Sequence, residues 1–461
     1  MAKSTEAENP FSSPTDDAAF FVKLRDGLTE ERQENGRIAL VRSGVTVLDA
    51  PDHPLVEDLM NGWMTEAWID RLAESADNPP VVYFLCETLF SRGLLQVQCR
   101  AGGRALFSLQ PAPPWQAWKE PLPESFPGFS PSACLRRSGD ALLLEMPLSR
   151  KKCLIHDERC MIWLMEMIRE GSSPPSEDTA RMAFYRALQL MNALEEVKTD
   201  SPIWEFHDLL FFHASSIGFH DDRIGATWRL RKKLPPAPLF KPCRGRELPL
   251  PKPDEHFKEL LDTPLAEVLA GRRSGRIPGR RPISLEELSA LLYATARCQD
   301  ILDDASRPCQ GSRRPSPSGG ALHSLEIYPL IHQCIGLGTG AWRYDPETHG
   351  LESIPVDGKL LNVYLNSNPH DQIHGAGLPN VRLVITSRFL RNSWKYEKIA
   401  YRLILQDLGC LYQTLSLTAA ALGLASCILG VVDSKRLGKV MNLESLVEPV
   451  IGEMTLSSQP G

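Results

Sequence analysis

Between Leu234 and Pro253 the chain carries seven prolines: Pro235, Pro236, Pro238, Pro242, Pro249, Pro251 and Pro253. A second such stretch, Gln110 to Pro131, includes Pro111, Pro113, Pro114, Pro121, Pro123 and Pro127. Proline fixes φ and has no backbone N–H, so neither stretch suits a helix interior or a central strand. Both read as connections, dividing the 461 residues into segments 18–110, 130–232 and 255–461, each of ordinary domain size. The composition, 43% hydrophobic and 23% charged, is that of packed globular domains. A net charge of −6 argues against a general nucleic-acid binder.

The longest apolar run, Leu415 to Gly430, is broken by Ser, Thr and Gly, so no membrane association is expected. Residues 1–17 are polar and lack the apolar core of a secretory signal. Eleven cysteines include no CxxC pair and no Cys/His ligand cluster, which points to free thiols in a cytoplasmic protein without a metal site.

The first two segments are similar to each other. Ala39 to Leu48 aligns with Cys134 to Leu143, each reading as a hairpin turned at a glycine, Gly44 and Gly139. Helical periodicity follows at 54–61, 65–75 and 80–92 in the first copy, and at 158–170 and 176–197 in the second. The first copy ends in two alternating strands around Gly102-Gly103, and the second in the aromatic run Ile203 to Ser215. Strands, short helices and a small hairpin outline two winged-helix-like modules. The apolar helix at 80–92 and the mixed charges of 176–197 offer no phosphate-binding face, so peptide docking on a strand edge suits them better than DNA.

In the third segment a short amphipathic helix, Pro264 to Ala270, runs into Arg272-Arg273-Ser274-Gly275-Arg276, whose guanidinium forks and hydroxyl match phosphate oxygens. Ser284 and Glu287 open a helix with capping-box spacing. Pro317-Ser318-Gly319-Gly320 precedes a strand from Leu325, and two glycines let backbone approach a flat ligand. Trp394-Lys395-Tyr396 leads into a long helix, apolar at Leu403, Leu408, Leu411, Leu415 and Ala419, with Gly423 as its terminator. A strand carrying Leu429-Gly430 comes next. Gly336 to Gly340 lacks the spacing and the following helix of a dinucleotide fingerprint, and reads as a hairpin turn.

This ordered set resembles the SagB-type dehydrogenases of the nitroreductase superfamily, and within them the azoline oxidases of cyanobactin-type peptide biosynthesis. Trp204 to His213 also resembles the segment before that family's oxidase domain. The resemblance implies an α+β fold, with an antiparallel sheet flanked by helices binding FMN, preceded by the two winged-helix-like modules. It places Arg272, Ser274 and Arg276 at the FMN phosphate and ribityl chain. Pro317, Ser318, Gly319 and Gly320 fall against the isoalloxazine, Leu429 and Gly430 near N5, and Lys395 and Tyr396 at proton abstraction. His323 stands where Tyr is common, and Ile428-Leu429-Gly430 lacks the usual Pro and double Gly.

The implied substrate is a heterocyclised precursor peptide, the implied electron acceptor molecular oxygen, and the implied assembly a homodimer. Oxidising a thiazoline or oxazoline to its azole needs a base. Either a phenol helped by a neighbouring ammonium, or a desolvated neutral lysine, meets that need, and Lys395 and Tyr396 leave both open. Two other functions fit the same motifs: an NAD(P)H-dependent small-molecule flavin reductase or nitroreductase, and a peptide-binding protein without activity.

Overall fold

The computed structural model describes residues 18–42, 45–123, 128–130, 132–146, 149–170, 177–194, 203–303, 307–366 and 377–460. They fall into two compact units that meet in sequence between Arg223 and Ile224.

The first unit is built on a six-stranded antiparallel sheet. Its order is Ala19–Leu24, Leu95–Ala101, Arg104–Gln110, Lys152–Ile155, Ala141–Glu145, Cys134–Ser138. Leu28–Arg32, Arg37–Arg42 and Val45–Pro51 form a separate three-stranded sheet. The helices expected in the first copy are present as Pro54–Asn61, Glu66–Ser75 and Pro79–Ser91. Thr65 caps the second by accepting from Trp68 N at 3.2 Å. In the second copy the helices are Glu158–Glu170 and Thr179–Leu190, the latter capped by Asp178. The turn at Gly44 and the outer ends of the 176–197 helix lie outside the described residues.

The two sequence segments share this sheet, because Phe107–Gln110 pairs with Lys152–Ile155. They also share one core, in which the rings of Phe107 and Phe184 stand 5.5 Å apart. Each is fully buried, and each such side chain contributes about 1.5–3 kcal/mol. The intervening proline-bearing stretch joins that core through Trp115 and Trp118.

The second unit is a seven-stranded antiparallel sheet between two helical layers. Its order is Glu247–Pro249, Gly350–Ser353, Gly340–Asp345, Leu325–Ile331, Val381–Ser387, Val450–Ser458, Leu424–Leu429. Strand alternation assigns the faces. Ile327, Ile331, Leu383, Ile385, Met454 and Leu456 pack under the helices Leu285–Ala296 and Ala400–Ala421. Tyr328, Leu330, Val384 and Val450 pack on the other side with Gly358–Asn366 and Ser434–Val440. Ser284 and Glu287 make the capping box. The long helix ends at Gly423, whose φ of 65° lies in the left-handed region that terminates helices. Gly336 to Gly340 makes the hairpin connection expected of it, with no helix following.

The prolines of 234–253 do more than connect. Glu247–Pro249 is an edge strand of the sheet, and upstream carbonyls bind buried guanidinium groups. Arg388 donates to Pro238 O at 2.7 Å and Leu239 O at 2.6 Å, and Arg391 to Ala237 O at 2.9 Å. Proline lacks a donor but keeps its carbonyl, so a segment poor in ladder bonds is rich in free acceptors.

Candidate active site

Lys395 and Tyr396 occupy the turn between the helix Phe389–Ser393 and the long helix. Both reach the glycine loop. A Cβ on Gly320 would lie 2.5 Å from Tyr396 Oη and 2.7 Å from Lys395 Nζ. Gly320 also has φ 66°, a conformation that favours glycine. The two polar tips therefore converge on one α-carbon.

The loop is held from beneath by Asp407, on the buried stripe of the long helix. Asp407 Oδ1 accepts from Gly319 N at 2.9 Å, and Oδ2 accepts from Ser318 Oγ at 2.7 Å. Ser318 Oγ in turn accepts from His323 N at 3.0 Å. Burial raises the Asp407 carboxyl above the usual carboxylate range, while these two hydrogen bonds oppose the rise. His323, buried beside Arg314, has its pKa pushed down to about 3 by desolvation and is a neutral imidazole. Sequence reasoning did not single out Asp407; its only signal was a carboxylate between the apolar Ile404, Leu408 and Leu411.

Lys395 is also covered from the segment before the motifs. Its Nζ lies 5.1 Å from the Trp228 ring centroid and 5.0 Å from that of Tyr396. Among the described residues no carboxylate forms an ion pair with it.

Arg272, Ser274 and Arg276 form a second group, on the loop after the helix Leu265–Gly271. Gly275 N donates to Ser426 O at 2.9 Å, and a Cβ on Gly275 would lie 2.8 Å from Ala425 Cβ. That contact fixes the loop against the strand Leu424–Leu429, which ends at Leu429 beside Gly430. Arg272 and Arg276 make no ion pair with a described carboxylate. Their guanidinium groups thus remain available to a phosphate, and in donor chemistry the loop fits one. No hydrogen bond among the described residues joins this loop directly to the Lys395–Tyr396 turn; the long helix and the strand after it lie between.

All eleven cysteines are free. Among the described residues no cluster of three or more His, Cys, Asp or Glu is arranged to hold a metal. No described helix is long and apolar enough to cross a membrane.

Residues 269–456 match the nitroreductase family, and this stretch is a nitroreductase-family domain. The chain is 31% identical over 158 residues to the microcin B17-processing protein McbC of Escherichia coli. It is 26% identical over 189 residues to the trifolitoxin-processing protein TfxB of Rhizobium leguminosarum bv. trifolii. These alignments span 33% and 40% of this chain, and only 57% and 49% of those proteins. A Methanocaldococcus jannaschii protein assigned provisionally to the nitroreductases is 26% identical over 189 residues, or 40% of this chain and 88% of that one. The SagB-type resemblance read from the motifs agrees with the match to two peptide-processing proteins.

Proposed function

We propose that this chain is an FMN-dependent oxidase that converts thiazolines or oxazolines in a ribosomally made peptide to thiazoles or oxazoles. The observation that carries this reading is the convergence of Lys395 Nζ and Tyr396 Oη on Gly320. In this reading a phenol and an ammonium there would flank the ring received by the glycine loop. The peptide-processing names of two relatives support the substrate class.

Arg272, Ser274 and Arg276 would hold the FMN phosphate, Pro317 to Gly320 would lie along its ring system, and Leu429-Gly430 would lie near N5. Bound FMN would supply the two-electron acceptor, with molecular oxygen as the final oxidant. The protein's share is to orient the azoline ring and take one carbon-bound proton at Lys395 or Tyr396, as the hydride equivalent departs. Asp407 keeps the loop in place while this happens.

The first unit would hold the peptide through its two winged-helix-like modules. Its six-stranded sheet has an edge strand at Cys134–Ser138 that would accept an extended segment, whereas the other edge strand, Ala19–Leu24, already exchanges backbone hydrogen bonds with Met64 at Val22. Exposed Leu265 (64%) and Leu269 (51%), with exposed Tyr401 and Leu405, support a homodimer through the second unit. The free cysteines fit a cytoplasmic setting.

The test is to incubate a heterocyclised peptide with the purified protein and follow the loss of two hydrogens per ring by mass spectrometry. Lys395→Ala combined with Tyr396→Ala should abolish azole formation while the yellow flavin stays bound. Unchanged oxidation in that double variant would sink the assignment. Rapid NAD(P)H-driven turnover without peptide oxidation would favour a small-molecule reductase, and purification without any flavin a peptide-binding protein.

A further inference from the structure

Trp228 lies outside the region matched to the nitroreductase family, yet the backbone ties it to the Lys395–Tyr396 turn. Its N–H donates to Lys395 O at 3.0 Å, and Gly225 and Glu397 exchange backbone hydrogen bonds at 3.1 and 2.9 Å. Thr227 Oγ1 donates to Glu397 Oε2 at 2.7 Å. Trp394 packs edge-on against the Trp228 ring at 5.6 Å and donates from Nε1 to Leu234 O at 2.7 Å. Trp228 has φ 55°, a region a bulky side chain occupies only where its surroundings impose it.

What that conformation achieves is a second aromatic ring beside Lys395, at 5.1 Å from Nζ, in addition to that of Tyr396 at 5.0 Å. A carboxylate partner would neutralise the ammonium and use its N–H groups. A ring quadrupole attracts the same charge and leaves it uncompensated. We propose that Trp228 is a positioning residue, holding the Lys395 ammonium beside Gly320 without neutralising it. The placement of Lys395 stands apart from the azoline-oxidase reading; the effect on catalysis rests on it.

The test compares Trp228→Leu with Trp228→Phe in the full-length protein. Leu and Phe at φ 55° carry comparable backbone strain, so the difference isolates the π face. The first readout is the rate of reductive methylation at Lys395, followed by peptide mass mapping, which needs no substrate. Trp228→Leu should react several-fold faster than the parent, and Trp228→Phe close to the parent rate. The second readout is azoline oxidation. Trp228→Leu should lower kcat roughly tenfold with KM little changed, and Trp228→Phe should recover most of that loss. Equal methylation rates in the parent and Trp228→Leu, or equal rates in the Leu and Phe variants, would overturn the proposal. If the parent protein oxidises no peptide azoline, the functional reading fails, and the methylation contrast still decides the role of Trp228.

Discussion

Ser318 donates its hydroxyl to the buried carboxylate of Asp407 at 2.7 Å, so the glycine loop hangs from the middle of the long helix. The same carboxylate takes the Gly319 N–H, and removing it leaves two half-buried donors without this partner. Asp407→Ala should therefore cost about 1–3 kcal/mol of stability, read as a fall in Tm. Oxidation should drop more steeply than stability, because the released loop no longer meets Lys395 and Tyr396. Ser318→Ala, which leaves the Gly319 bond intact, should show the smaller loss in both assays.

At Gly320 the prediction separates folding from chemistry. Gly320→Ala puts a methyl 2.5 Å from Tyr396 Oη and 2.7 Å from Lys395 Nζ, so that both tips must shift, and forces an L-residue to φ 66°. The backbone cost is about 1–2 kcal/mol, which a domain of this size tolerates. Circular dichroism should look unchanged while azole formation falls by at least about tenfold, since the obstruction sits between the two side chains proposed for the chemistry.

The arginine loop predicts a flavin-affinity effect with a salt signature. Replacing Arg272 and Arg276 together by Gln should release FMN during dialysis and weaken its binding by roughly ten- to a hundredfold. The parent's affinity should fall as salt rises, and the variant's should respond less. A double variant that keeps flavin as firmly as the parent would move the phosphate elsewhere.

Acid should destabilise the protein in part through His323. Its folded pKa is about 3, against an ordinary value near 6.5 in the unfolded chain. Between those limits the unfolded state binds a proton that the native state refuses, so stability falls as pH drops from about 6.5 towards 3. His323→Asn should weaken that dependence, and asparagine tolerates the φ of 44° found there. Thermal melts of parent and variant at pH 5 and pH 7 provide the measurement.

What could be read in the sequence was what neighbours in the chain decide. The capping box at Ser284 and Glu287, the stripe of the long helix and its end at Gly423 all depend on residues within a few turns. The Lys395–Tyr396 pair and the glycine loop were visible as motifs, but their meeting at Gly320 was not, because tertiary packing sets it. Asp407 escaped notice for the same reason: its partners Ser318 and Gly319 lie 89 and 88 residues upstream. Proline spacing marked 234–253 as poor in ladder bonds. It could not announce that Arg388, some 150 residues on, would use the carbonyls of that stretch. Likewise the shared sheet of the first unit is a pairing of strands that no local period encodes.

The guanidinium groups held by the proline stretch also separate two kinds of boundary. The part recognisable by descent begins at residue 269, whereas the carbonyls that meet its buried guanidinium groups begin at Ala237, inside the compact unit that starts at Ile224. A fragment cut at the ancestral edge would keep Arg388 and Arg391 in the interior and discard carbonyls that solvate them. The inheritable module is smaller than the foldable one.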